Sequence, residues 1–288
     1  MSTGGSAAGP TARRMVLGGQ LRRLREGSNI SRERVGVAVR GSESKISRLE
    51  LGRVSLKERD VADLLLLYGV TDSAERDAFL ELVRQSNQPG WWHSYHDLLP
   101  RWFQDYVGLE ESASRIQTYE VAYVPGLLQT ERYARAVVSR GLPGASEDEI
   151  TRRVGLRMGR QRLLADPGGC RLWAVVDEAV LHRAVGGAEV QREQLAHLLD
   201  VTSRPNISLQ VVPFQLGGSA AESSFALLRF PADELPDVVY LEHLCGALYL
   251  DKPDEVEVYA VVAQRLAVEA LTPEESRAAV RRVLDSAP

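Results

Sequence analysis

A chain of 288 residues, 44% hydrophobic and 26% charged, has the composition of a globular protein of about two domains, which excludes wholesale disorder. No apolar run reaches the roughly 18 residues of a membrane span. Segment 1–14 lacks the apolar core of a secretory signal, and two cysteines, Cys170 and Cys245, fit a reducing cytoplasm rather than a disulfide framework.

Charge is unevenly divided. Residues 1–60 hold 13 Lys+Arg against 6 Asp+Glu, a net of +7, whereas the remainder nets −11. A basic front on an acidic body points to a polyanion as partner of the first domain, with an acidic body that repels it and disfavours non-specific wrapping; the alternative is a solvated arginine-rich helix face.

Residues 1–12 are small and polar and read as a disordered tail. Residues 13–86 then carry five short helices. Val16, Leu17, Leu21 and Leu24 lie at helical spacing, and Gly27-Ser28-Asn29 ends that helix. Ser31 caps a second helix over about 32–39 with Val35 and Val39 inward, and Ser42 caps a third over about 43–51 with Ile46 and Leu49 inward. Gly52 and Gly69 stop the third and fourth helices, and Ser73 caps a fifth carrying Phe79, Leu82 and Val83. Residues 87–112 form an aromatic connector. Its Trp91, Trp92, Tyr95 and Trp102 make either a packing plate or a ligand wall.

In residues 113–288 strands and helices mix. Strands are expected at 116–124, 171–176, 207–212, 224–230, 238–242 and 247–250. Helices are expected at 131–140, 148–164, 178–185, 190–203, 254–271 and 273–284, the last capped by Thr272. The fold class is therefore multi-domain: an all-α five-helix domain followed by a mixed α/β (α+β) domain.

Ser31 to Gly52 reads as helix, tight turn, helix, and Gly36 allows the two to approach closely. With Val35, Val39, Ile46 and Leu49 inward, the outer face of the second of these helices shows Glu43, Ser44, Lys45, Ser47 and Arg48, all able to hydrogen-bond, as a helix in the major groove requires.

The blocks LGGQLRRLRE, SRERVGVAV, SKISRLELGR and ERDVADLLLLYGV resemble the Cro/repressor-type helix-turn-helix family, also called the xenobiotic-response-element family. The resemblance implies a five-helix domain that binds double-stranded operator DNA as a homodimer. By position it assigns base readout to Glu43, Ser44, Lys45, Ser47 and Arg48, and a phosphate contact to Arg32; Arg40, Ser42 and Arg53 are further candidates for phosphates. It also implies a buried ion pair between Arg25 and Glu50. Lys45 serves a phosphate or a base edge, Glu43 a cytosine amine or the helix dipole. Arg40 stands where the family has glycine, so either Arg40 takes a left-handed conformation or the turn shifts by one residue.

TYEVAYVPGLLQTERYARAVV, WAVVDEAVLHRAVGG, PNISLQVVPF and DVVYLEHLCGALYLDKPDEVEVY are similar to the C-terminal domain of actinobacterial WhiJ-like regulators. That resemblance implies a domain that senses a small-molecule effector or docks a small partner protein encoded nearby, in an antitoxin-like arrangement. Trp91, Trp92, Tyr95, Trp102, Arg153 and Arg157 are the candidates for such a surface, with Arg152, Arg160 and Arg162 as further basic residues.

No catalytic constellation, metal site or cofactor is expected. Asp177-Glu178 and Glu242-His243 follow strands and are read as caps or solvated ends; Gly217-Gly218-Ser219 precedes a strand and makes a poor phosphate cradle; His182 and His197 lie on helices; Cys170 and Cys245 are packing residues.

Overall fold

The computed structural model describes residues 9–52, 54–217, 221–231 and 235–286. Within them the chain forms two compact units. The first comprises residues 1–94, 104–112 and 231–235; the second comprises 95–103, 113–230 and 236–288.

The first unit holds α1 (Pro10–Gly27), α2 (Arg32–Ala38), α3 (Glu43–Glu50), α4 (Glu58–Leu67) and α5 (Ser73–Ser86). Leu17, Leu21, Val35, Ile46, Leu49, Leu56, Val61, Leu64, Leu65 and Val83 form one buried core. α1 begins at Pro10 rather than near Val16, so residues 10–12 are helix and not tail. The cause is packing: Thr11 and Ala12 are buried, and Gly108 lets Thr11 come so close that a Cβ there would meet its hydroxyl oxygen. Residues 1–8 lie outside the described residues. The cap of α5 is Asp72, which accepts from Glu75 N at 2.8 Å, and not Ser73.

The connector is more regular than its aromatic content predicts. Trp91–Tyr95 is a 3-10 turn and α6 (Arg101–Ser112) is a full helix with Tyr106, Val107 and Leu109 buried. Gly18 shows why α1 can cross α3 closely: a Cβ there would sit 2.6 Å from the carbonyl oxygens of Leu49 and Glu50.

The second unit is built on a six-stranded sheet of order β3-β2-β1-β4-β5-β6. Its strands are β1 (Arg115–Glu120), β2 (Arg171–Asp177), β3 (Ile207–Val212), β4 (Phe225–Arg229), β5 (Val238–His243) and β6 (Gly246–Leu250). β1, β2 and β3 are parallel, and β4, β5 and β6 add antiparallel. The parallel pairs need long crossovers. They are supplied by α7 (Glu131–Gly141) and α8 (Glu147–Arg160), then by α9 (Ala179–His182) and α10 (Ala188–Val201). α11 (Pro253–Glu269) packs Ala260, Ala263 and Leu266 on Tyr119, Val175, Phe225, Leu227 and Val239. On the other face Ile116, Ala174, Val176, Leu209 and Val211 are buried too, which is why these strands read as near-continuous apolar runs. α12 (Pro273–Ser286) closes the chain, with Thr272 and Glu275 in a reciprocal capping box. Edge strand β3 is blunted by Leu271 N donating to Val211 O and Val211 N donating to Ser276 Oγ.

Candidate nucleic-acid interface

Two serine caps set the geometry of the helix pair. Ser31 Oγ accepts from Arg34 N at 3.3 Å, and Ser42 Oγ accepts from Lys45 N at 3.2 Å, so the expected phosphate ligand Ser42 first serves as the N-cap of α3. Arg40 has φ 52°, so the turn does not shift: the arginine adopts the left-handed conformation. Gly41 N donates to Gly36 O at 2.7 Å and Arg40 N to Val37 O at 3.1 Å, the two bonds of a Schellman closure. A non-glycine residue there costs about 1–2 kcal/mol. Close packing surrounds it, since a Cβ on Gly36 would lie 3.0 Å from the backbone of Ser42.

α3 is held from behind by a buried ionic cluster. Arg25 Nε donates to Glu50 Oε1 at 2.5 Å and its second nitrogen to Oε2 at 3.2 Å, while its third reaches Ile30 O at 3.0 Å. The Glu50 hydrogen bond holds the Arg25 guanidinium above its ordinary pKa. Arg32 also donates to Glu50, at 2.9 Å. Arg32, expected at a phosphate, thus has its guanidinium in the Glu50 cluster while a third of its side chain stays exposed. Arg34, exposed in the same helix with no ion-pair partner among the described residues, is a cation the sequence reading passed over.

On the outer side of α3, Glu43, Ser44 and Arg48 are exposed and Ser47 is half-buried. Arg48 Nε donates to Ser44 O at 3.3 Å, and no carboxylate pairs with it among the described residues. Lys45 Nζ lies 2.7 Å from Asp60 Oδ2 on α4 and so ties α3 to α4. Arg40 is exposed; Arg53 lies outside the described residues.

Of the remaining candidates, Trp92 is buried, and Trp91, Tyr95, Trp102, Arg153 and Arg157 are half-buried. Trp92 is buried in the first unit and packs edge-on to Trp91; Tyr95 and Trp102 belong to the second unit. Arg153 pairs with Glu149 at 2.9 Å, Arg157 donates to Gln129 at 2.9 Å, Arg152 pairs with Asp97 at 2.7 Å, and Arg160 is buried over the Phe103 ring. These guanidiniums are thus engaged within their own unit. Cys170 is buried but Cys245 is exposed, contrary to the packing role expected of it.

Strand-end acids act as local acceptors. Asp177 accepts from Ala179 N at 2.8 Å, Glu178 from Phe214 N at 2.8 Å, and Glu242 from the Tyr240 hydroxyl at 2.9 Å. Sequence reading missed Glu120, at the end of β1. Burial pushes its carboxyl up to about 7, the Glu242 charge adds to the rise, and hydrogen bonds with Ser224 and Thr118 oppose it. Gly217 is left-handed at φ 70°; Gly218 and Ser219 lie outside the described residues. Among the described residues no helix is long and apolar enough to cross a membrane, and no group of three or more His, Cys, Asp or Glu is placed to hold a metal.

A family model described as a helix-turn-helix domain matches residues 16–79, and one described as a domain of unknown function (DUF5753) matches residues 103–282. No curated protein and no solved structure matches the chain.

Two outcomes follow from these charges. Glu50→Ala strands Arg25 and is expected to cost about 3–5 kcal/mol, read as lost hydrogen-exchange protection in α1 and α3; the paired replacement Arg25→Met with Glu50→Leu costs far less. Unchanged protection in Glu50→Ala contradicts the role given to the cluster. Glu120 has a folded pKa above its ordinary 4.5, so the stability it lends is whole below pH 4.5 and lost as pH rises through about 7. Chemical unfolding of the second unit should show a loss of up to about 3 kcal/mol across that window, absent in Glu120→Gln.

Proposed function

The chain belongs to the DUF5753 family and carries a helix-turn-helix domain ahead of that domain, and from this premise we propose that it is a sequence-specific, DNA-binding transcriptional regulator. Within the family we place it with the WhiJ-like regulators, its first domain of the Cro/repressor type. The helix-turn-helix domain points to a regulator rather than an enzyme.

One observation carries the reading. The inner side of α3 is fixed by Ile46, Leu49 and the Glu50 cluster, while Arg48, Ser44 and Glu43 stand exposed on its outer side. A guanidinium not engaged by a carboxylate is the group that pairs with the O6 and N7 of guanine. Ser47 adds a hydroxyl, and Arg40 and Arg34 supply charge for phosphates; affinity then falls steeply with salt. Lys45 and Arg32 enter as positioning residues through Asp60 and Glu50. Binding as a homodimer to a two-fold site, with α3 in the major groove, is part of the same proposal.

For the second unit the proposal is effector sensing. The alternative is an antitoxin-like protein that binds a small partner protein and autoregulates its operon; Arg152, Arg153 and Arg157, already engaged within their own unit, would have to exchange partners to hold an acidic one.

Genomic-fragment pull-down with the full chain, wild type beside Arg48→Ala, tests this. The expected result is enrichment of a two-fold symmetric site that the variant loses about 10- to 100-fold, with salt-sensitive bulk binding retained. Equal enrichment by both proteins overturns the role of Arg48, and no enrichment by either overturns the regulator reading.

A further inference from the structure

Three arginines stand in register across the middle of the sheet. Arg171 on β2 is opposite Arg115 on β1, and Arg115 is opposite Arg229 on β4. Register partners on neighbouring strands share a sheet face, so the three guanidiniums leave the same face where β1 and β2 begin. Like charges opposed in this way disfavour the sheet.

Only one of the three is neutralised. Arg229 lies 3.1 Å from Asp237 and its Nε donates to Gln117 at 3.0 Å. Arg115 and Arg171 are exposed, with no ion-pair or side-chain hydrogen-bond partner among the described residues.

These two arginines line a cavity of about 220 Å³ together with Trp173, Pro205, Asn206 and Ser208. Its walls are fixed. Trp173 Nε1 donates to Gln210 Oε1 at 2.7 Å, and the Gln210 amide donates in turn to Ala267 O at 3.0 Å and Leu271 O at 2.9 Å, which pins the indole to the end of α11. Asn206, buried, donates to Leu164 O and Cys170 O at 3.2 Å, which anchors the entry to β3. The volume lies below the roughly 300–1,000 Å³ typical of drug-sized sites, so a small ligand fits and a polymer does not.

We propose that this cavity binds a small phosphomonoester carried on a planar ring. Two adjacent guanidinium forks match a phosphate dianion bidentately. Ser208 offers a further hydroxyl, and the pinned indole with Pro205 offers flat apolar walls. This deepens the effector-sensing part of the proposed function and rests on that reading for its regulatory meaning. The same phosphate chemistry occurs on a DNA backbone, but a concave pocket walled by an indole favours the small molecule.

The test is calorimetric titration of the full chain with phenyl phosphate, alongside inorganic phosphate and a short DNA duplex. The proposal expects one phenyl phosphate per chain, bound more tightly than inorganic phosphate and accompanied by a change in tryptophan fluorescence. Arg115→Gln with Arg171→Gln should weaken it by about tenfold or more per arginine. Arg171→Lys, which keeps the charge and loses the fork, should fall between. Trp173→Phe should abolish most of the fluorescence change while heat of binding remains.

No heat up to about 10 mM phenyl phosphate, where even a millimolar Kd is visible, overturns the proposal. So does equal affinity in the double variant with an unchanged circular dichroism spectrum. Loss of duplex affinity in that variant without phenyl phosphate binding assigns the arginines to a DNA backbone instead, and also overturns it. A chain that binds phenyl phosphate but enriches no genomic fragment keeps this site and loses the regulator reading; the reverse keeps the regulator and loses the site.

Discussion

A single buried carboxylate organises the helix-turn-helix unit. Glu50, at the last turn of α3, accepts from Arg25 on α1 and Arg32 on α2, so three helices meet at one side chain. Burying such charges yields little net stability against an apolar alternative, but it tolerates few geometries, because each oxygen needs its donor. Gly18 brings α1 onto the backbone of the same residue, and Lys45 reaches Asp60 on α4. The orientation of α3, and with it the direction in which Ser44 and Arg48 stand, depends on this constraint.

The second unit uses charge differently. Its sheet is covered on both faces by apolar packing, and polar groups collect at strand ends. At one end Glu120 and Glu242 are held near Ser224 and the Tyr240 hydroxyl. At the other, Arg115 and Arg171 border a cavity with fixed walls. Such charges contribute nothing to the core, and the fold bears them.

Much of this architecture is legible in the residue order. Ser31 and Ser42 announce α2 and α3 because a side-chain oxygen ahead of an apolar-periodic run has one good use, and Ile46 and Leu49 turn inward as their spacing demands. β2, β3, β4 and β5 read clearly because burial makes most of their residues apolar. What escapes is set by distant partners. Arg32 and Lys45 look free in sequence; their carboxylates lie 18 and 15 residues away. Glu120 looks like an ordinary polar strand end, and the groups that shift its carboxyl, Ser224 and Glu242, lie more than 100 residues away in sequence. α6 is hidden because aromatic residues dominate 91–106 and obscure its period. The turn at Arg40 was open between two geometries, since only the closing bonds to Gly36 and Val37 decide it.

The central claim is that the outer side of α3, fixed by Glu50, is the surface that meets DNA. Affinity cleavage tests it most directly. An iron chelate is tethered to a cysteine placed at Ser44, in a chain whose exposed Cys245 is replaced by serine, and compared with the same chelate at Glu75 on α5. The account predicts cuts from position 44 confined to a short window flanking one major groove of the enriched fragment, and none from position 75. Equal or diffuse cutting from both positions contradicts it.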